Sequence, residues 1–317
     1  MYLDRKSSEA IKGLLILLIV FGHNHVLCPN DVSGGLMEYL YTFHVMGFFI
    51  LPFFYGREIN DLWYKIQTTF VKCWIPYLWA CILCWLAFSI FRHNFEFGWQ
   101  HILAFFNGTQ TPIRKYFGFV FPWFLPTFCS FSIMLMLGRK YKYVNWAFFI
   151  LSVATFFFTW EHFFVFKNTV PFGIGLAIHY YASGIIAFSL HKISRWSKYV
   201  GAVLFVVMSL CWWSNVNLGF YLNFMPSFFF LALICLLPCF NNKYIRCLGK
   251  YSLGIYLLHV FVVNATYFLL PQSVLWGVMG FLISVLVPLA ITCYIYKKNI
   301  LRKLLFPTSF GEFINNK

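Results

Sequence analysis

The sequence predicts an all-α, polytopic integral membrane protein of about ten transmembrane helices, with both termini on the cytoplasmic side. Three observations carry this reading. Hydrophobic residues make up 61% of the 317 and charged residues 10%. Apolar runs of membrane-spanning length recur from one end to the other. Lysine and arginine sort to alternate connections, as the positive-inside rule requires.

The first run, 11–27, lacks a small-residue cleavage site and passes into polar Gly22-His23-Asn24-His25, so it reads as a retained signal anchor. The second, 37–55, runs back inward. The third, 69–91, carries Cys81 and Cys84, read as small buried hydrophobes rather than a redox pair or metal site. A polar stretch over 92–118 follows, holding Arg92, His93, Glu96, His101, Arg114 and Lys115, and its length suits a lid or an acceptor-binding surface. Further helices are expected over 119–137, 145–160, 173–190, 199–213, 224–240, 252–270 and 275–297. Those at 145–160 and 199–213 are short for a ~30 Å hydrocarbon core and are expected to extend or tilt. Residues 298–317 read as a short basic cytoplasmic tail. No polar stretch is long enough to stand as a soluble domain, so 1–317 reads as one membrane domain.

The net charge of +15 invites a nucleic-acid reading, and its placement excludes one. With the N-terminus inside, only Arg92, Arg114, Lys115 and Lys167 of the 24 basic residues fall outside. The inner set includes Lys12, Arg57, Lys65, Lys72, Arg246, Lys250 and Lys317, so the basicity is topological, with some attraction to anionic lipid headgroups. The 42 phenylalanines read as lipid-facing packing and interfacial belts. A Walker loop, a dinucleotide fingerprint and an H-E-x-x-H motif are all missing, which argues against an ATP-driven pump within this chain.

Ionisable groups inside apolar segments are the candidates for function. Lys12 and His23 stand eleven apart on the first helix, a spacing that places them on one face about 16 Å apart. His44 lies roughly 10 Å below the outer end of the second helix, where an antiparallel neighbour brings it to the depth of His23. His259 on the ninth helix and His179 on the sixth add two more imidazoles, and ordinary core packing accounts for either alone. Histidine suits proton transfer from a hydroxyl near neutral pH, so His23 and His44 are the candidate catalytic pair. Lys12, with Lys65 and Lys72 on the same side, is placed to hold an anionic carrier, although snorkelling explains Lys65 equally well. His23 and His25 face apart on a helix with no carboxylate beside them, so no metal site is expected.

Several of these residues together resemble membrane acyltransferase family 3, whose members O-acylate sugars and polysaccharides. The family's opening Arg/Lys-x10-His resembles Lys12 to His23, with Lys12-Gly13 and Gly22-His23 in place. Its F-H-M-P-x-F-F pattern resembles Phe43-His44-Val45-Met46-Gly47-Phe48-Phe49, with Val45-Met46 in place of Met-Pro. Pro52-Phe53 lies where relatives have Ser-Gly, so the lower half of the second helix is expected to bend differently. Lys72 before Pro76-Tyr77, Trp123-Phe124-Leu125, and Leu248-Gly249-Lys250-Tyr251-Ser252 through Ile255-Tyr256-Leu257-Leu258-His259 resemble three further motifs. The likeness runs in order from about residue 5 to 297.

The resemblance implies that His23 is the essential acid/base. Lys12 and Lys72 would bind the donor, acetyl-coenzyme A or another acyl-coenzyme A, entering from the cytoplasm; no permanently bound cofactor is implied. His44, Trp123 and His259 would shape the transfer site or acceptor pocket. The expected function is therefore O-acetyl transfer to a hydroxyl of a cell-surface saccharide or lipid-linked glycan precursor, in a cell membrane of bacterial type. An acyl-His23 intermediate is the alternative to direct attack. Membrane lipids are the other partners, nucleic acid is not one, and homo-oligomerisation is left open. The rival readings are a small-solute transporter using the same ionisable track, and a catalytically silent glycan-binding partner.

Overall fold

The computed structural model describes residues 2–29, 35–56 and 59–314, so Arg57 and Lys317, counted among the inner basic residues, lie outside the described set. The described residues form helices and no strands. In order these are α1 (Arg5–Gly22), α2 (Leu36–Tyr41), α3 (Met46–Ile50), α4 (Leu62–Arg92), α5 (Trp99–Asn107) and α6 (Gln110–Phe117). Then come α7 (Phe124–Lys140), α8 (Lys142–Thr155), α9 (Trp160–Thr169), α10 (Ile174–Ile193), α11 (Ser197–Trp213) and α12 (Met225–Phe240). The chain closes with α13 (Lys243–Lys250), α14 (Ser252–Leu269), α15 (Val274–Lys297), α16 (Asn299–Leu305) and α17 (Phe310–Ile314). Seven helical segments among the described residues are long and apolar enough to cross a membrane. Large apolar side chains stand exposed along them, Leu269 and Val274 among them, which a lipid environment accommodates and water does not. This is an all-α integral membrane protein.

Each expected apolar segment is helical, with instructive differences at the ends. Helix α1 starts earlier than 11 because the Asp4 carboxylate caps it, accepting from the Ser7 N–H at 2.8 Å. It stops at Gly22 rather than 27. The expected continuous helix over 37–55 is broken into α2, a tight turn, α3 and a 3₁₀ turn at Leu51–Phe54. In the turn, the Thr42 and Phe43 N–H groups bond three residues back, to Tyr39 and Leu40, and the Thr42 hydroxyl also donates to Tyr39 O at 2.7 Å. Pro52, which has no N–H to donate, sits in the 3₁₀ turn. Helix α11 spans 197–213, two residues longer than expected, whereas α8 spans 142–155 and ends before 160. The stretch 92–118 is largely helical, as α5 and α6.

The described residues group into two compact units. The first comprises Met1–Gly56 and Ser183–Tyr294. It is assembled on glycines that let helices approach closely: Gly13 and Gly249 where α1 meets α13, Gly47 against Leu15 of α1, Gly201 against Leu231 of α12, and Gly254 against Thr292 of α15. Phe43 packs between Phe205 and Phe229, with ring centroids 5.1 and 4.3 Å away.

The second unit comprises Arg57–Ala182 and Ile295–Lys317. Here α4 packs on α7, and the buried Tyr77 hydroxyl of α4 donates to Phe105 O of α5 at 2.9 Å. The short basic tail forms two short helices, α16 and α17, docked on α4. Trp79 Nε1 donates to Leu304 O at 3.2 Å, and the Phe310 N–H donates to Thr68 Oγ1 at 3.3 Å.

Within that tail Arg302 forks onto Glu312, one arm at 3.2 Å, and Thr308 donates through both its N–H and its hydroxyl to the same carboxylate. These donors hold the Glu312 pKa down at about 2. A carboxyl depressed on folding stabilises the folded form above its unfolded pKa and loses that contribution as pH falls through the folded value. Pepsin cleavage within 299–313 is therefore expected to rise as pH drops from about 4.5 towards about 2, and Glu312→Gln is expected to be cut readily throughout. Equal cleavage of the two proteins at every pH would refute the pairing.

Candidate functional site

The site is built around the C-terminus of α1. His23 caps the helix, its backbone N–H bonding Ile19 O at 3.2 Å and its ring Nδ1 donating to the same carbonyl at 2.8 Å. The chain leaves the helix because Asn24 offers a competing turn: its buried Oδ1 accepts from the N–H groups of Val26 and Leu27 at 3.1 and 3.0 Å. Its Nδ2 donates to Gly277 O of α15 at 2.9 Å, tying the end of α1 to a second helix. His23 is thus held on both sides in sequence, by its helix and by Asn24.

The second segment delivers a phenol and another imidazole. Backbone bonds through the turn keep a helical course, with the His44 N–H on Leu40 O at 3.0 Å, so Tyr41 and His44, three residues apart, share a face. The Tyr41 hydroxyl lies 3.0 Å from His23 Nε2. His44 is fully buried and donates from Nδ1 to Leu40 O. Its Nε2 is buried without a hydrogen-bond partner among the described residues, and a methyl added to Gly22 would lie 4.0 Å from it. The third imidazole comes from α14: His259 is fully buried, donates from Nδ1 to Tyr256 O at 2.6 Å, and meets the His23 ring edge to face, centroids 5.0 Å apart at 82°.

The chemistry follows from which nitrogen holds the proton. A backbone carbonyl only accepts, so Nδ1 of His23, His44 and His259 each carries hydrogen, and in the neutral ring each Nε2 is left with its lone pair. Against His23 the Tyr41 O–H is therefore the donor. An imidazole with its tautomer fixed by a carbonyl and its lone pair facing a hydroxyl is arranged as a general base for an alcohol.

Midway along α1, Lys12 is half-buried rather than at the helix start that an 11–27 helix would give it, and the helix is unbroken from it to Gly22, which preserves the roughly 16 Å rise expected from periodicity. Helix α13, which carries Lys243, Arg246 and Lys250, crosses α1 at Gly13, the residue after Lys12. Arg246 Nη1 donates to Asn241 Oδ1 at 3.1 Å.

Of the residues singled out from sequence, the structure brings His23, His44 and His259 together and places Lys12 on the same helix as His23. Lys72, exposed on α4, and Trp123, buried just before α7, belong to the second unit. So does His179, whose Nδ1 donates to Thr155 Oγ1 at 2.8 Å, that hydroxyl's own hydrogen being spent on Ser152 O. His25 packs edge to face on Tyr267 at 5.3 Å. Tyr41 and Asn24 were not singled out. The signal for Tyr41 is its position three before His44; for Asn24 it is a small amide wedged between two histidines at a helix end.

Among the described residues no three His, Cys, Asp or Glu side chains are grouped to hold a metal ion. No curated protein and no solved structure matches the chain. A family model described as an acyltransferase domain matches residues 5–297, taking in the basic end of α1, the histidine cluster and the closing His259 motif, and by that match the chain belongs to the acyltransferase family 3 of membrane proteins.

Proposed function

We propose that this acyltransferase moves an acetyl group from acetyl-coenzyme A, bound from the cytoplasm, to a hydroxyl of a cell-surface saccharide or lipid-linked glycan precursor. The observation that carries the reading is His23 Nε2 facing a hydroxyl at 3.0 Å with Nδ1 locked on Ile19 O. In the reaction the acceptor oxygen attacks the thioester carbonyl as its proton passes to His23 Nε2. The tetrahedral adduct then expels the thiolate, which takes the proton from the imidazolium. One C–O bond forms, one C–S bond breaks, and His23 returns neutral.

Lys12, on the helix that carries His23, binds the anionic carrier; the donor role of Lys72 and the acceptor roles of Trp123 and His259 are taken from the family motifs alone. The alternation of basic residues supports ten crossings of the cell membrane with both termini cytoplasmic, an arrangement in which the acyl group, and not the coenzyme, passes to the far side.

The test is transfer of labelled acetyl from acetyl-coenzyme A by the protein in lipid nanodiscs to a panel of p-nitrophenyl glycosides. Label in a glycoside with wild type supports the reading, and solute flux with no labelled product overturns it in favour of a transporter. Lys12→Ala is expected to raise the donor KM about tenfold, the worth of one charge-assisted hydrogen bond, with kcat little changed. An unchanged donor KM would remove Lys12 from the donor site.

A further inference from the structure

Tyr41 occupies the lone pair that the proposed reaction needs. His23 Nε2 has one in-plane lone pair, the Tyr41 hydroxyl holds it at 3.0 Å, and an acceptor hydroxyl has to deliver its proton to the same place. The phenol must leave before the acceptor arrives. A buried O–H that leaves one partner without finding another loses a full hydrogen bond, which would weaken acceptor binding by about tenfold.

A second acceptor stands next to it. His44 Nε2 carries a lone pair because Nδ1 is committed to Leu40 O, and it is buried with no hydrogen-bond partner among the described residues. Buried ring nitrogens in this condition are uncommon and call for an explanation. Tyr41 and His44 share one helical face, their rings perpendicular with centroids 4.9 Å apart. One site therefore has a hydroxyl where the substrate belongs, and beside it a nitrogen with nothing to accept.

We propose that Tyr41 is a two-position positioning residue: its hydroxyl rests on His23 Nε2 and passes to His44 Nε2 when the acceptor hydroxyl takes its place. The inference rests on the reading of His23 as the base. The exchange conserves hydrogen bonds. At rest the phenol satisfies His23 and His44 waits; in the complex the acceptor satisfies His23 and the phenol satisfies His44. Acceptor binding then gains one bond instead of merely replacing one. The role of His44 in this scheme is to receive the displaced phenol, and its Nδ1 bond to Leu40 O is what keeps Nε2 able to do so.

Two measurements test it. The first needs neither ligand nor activity: 3-fluorotyrosine is placed at position 41 and its fluorine resonance recorded. In His23→Phe the phenol is expected to turn to His44 Nε2 and keep a hydrogen-bonded shift, and only His23→Phe combined with His44→Phe is expected to move the resonance to the unbonded position. The same displacement in His23→Phe alone would overturn the proposal. The second uses whichever p-nitrophenyl glycoside accepts label from wild type. His44→Phe is expected to raise its KM about tenfold while the donor KM stays put, and adding Tyr41→Phe is expected to bring it back, because no phenol is then left stranded. A purely structural role for His44 predicts no such rescue, and its absence would overturn the proposal. Failure of wild type to label any glycoside would count against the functional reading, with the fluorine measurement still deciding the two positions of Tyr41.

Discussion

Replacing His23 by alanine is expected to lower acetyl transfer by about 10²–10⁴-fold, the range a positioned general base contributes, while leaving the donor KM in place. The turn after α1 does not depend on the ring: Asn24 closes it and ties α1 to α15 through its own amide, and neither of those bonds passes through the imidazole. The loss therefore falls on kcat. Transfer by a well-expressed His23→Ala protein at the wild-type rate would refute the assignment, and a collapse of donor binding along with kcat would move His23 from the chemistry to the architecture.

The largest expected loss of stability comes from a residue outside the histidine cluster. A Cβ added at Gly249 would lie 1.7 Å from Glu9 O, 2.7 Å from Glu9 C and 2.8 Å from Gly13 N. All three are backbone atoms, so no side-chain rotation relieves the clash and α13 has to move off α1. Gly249→Ala is expected to cost about 3 kcal/mol or more, the upper end of overpacking effects. Gly13→Ala, whose Cβ would meet Ile245 O at 2.0 Å, is expected to do the same, and the pair to be less than additive because both act on one crossing. Gly98→Ala serves as control, since a Cβ there meets nothing within 4 Å. The check is the thermal midpoint of the protein in detergent, followed by size-exclusion chromatography. A Gly249→Ala midpoint equal to that of Gly98→Ala would show that the crossing is looser than described. Activity is expected to fall with stability, because α13 leads through Tyr251 into α14, the helix that carries His259.

Much of the site was legible before the structure. Lys12 and His23 could be paired because both lie on one uninterrupted apolar helix, where periodicity converts spacing into direction and rise. His44 could be brought to His23 because consecutive short-loop helices run antiparallel. That argument reached the right neighbourhood, since Leu36–Phe54 is one candidate membrane span, but the segment is not one continuous helix, and the turn over 42–45 is what sets Tyr41 and His44 on their face. Tyr41 escaped notice because aromatic residues are abundant and nothing local separates a phenol packed in lipid from one bonded to a base. Glycines 13 and 249 were visible as motif members, but their function is a distance between two backbones far apart in sequence, and no local pattern encodes it. The amphipathic α13 and the docked α16 and α17 were missed because a short helix leaves too few turns to register a period.

Composition and hydrophobic run length by themselves determined that this chain is a helical membrane protein, because in hydrocarbon every backbone polar group must be satisfied within its own segment, and helices do that locally. Sequence also determined the kind of chemistry on offer, since an imidazole and a lysine in an apolar run are costly unless used. The tertiary structure alone decided which nitrogen of His23 and of His44 keeps its lone pair. That depends on which carbonyl each Nδ1 finds and on which hydroxyl another helix brings to Nε2, and both are set by packing between segments that the sequence holds apart.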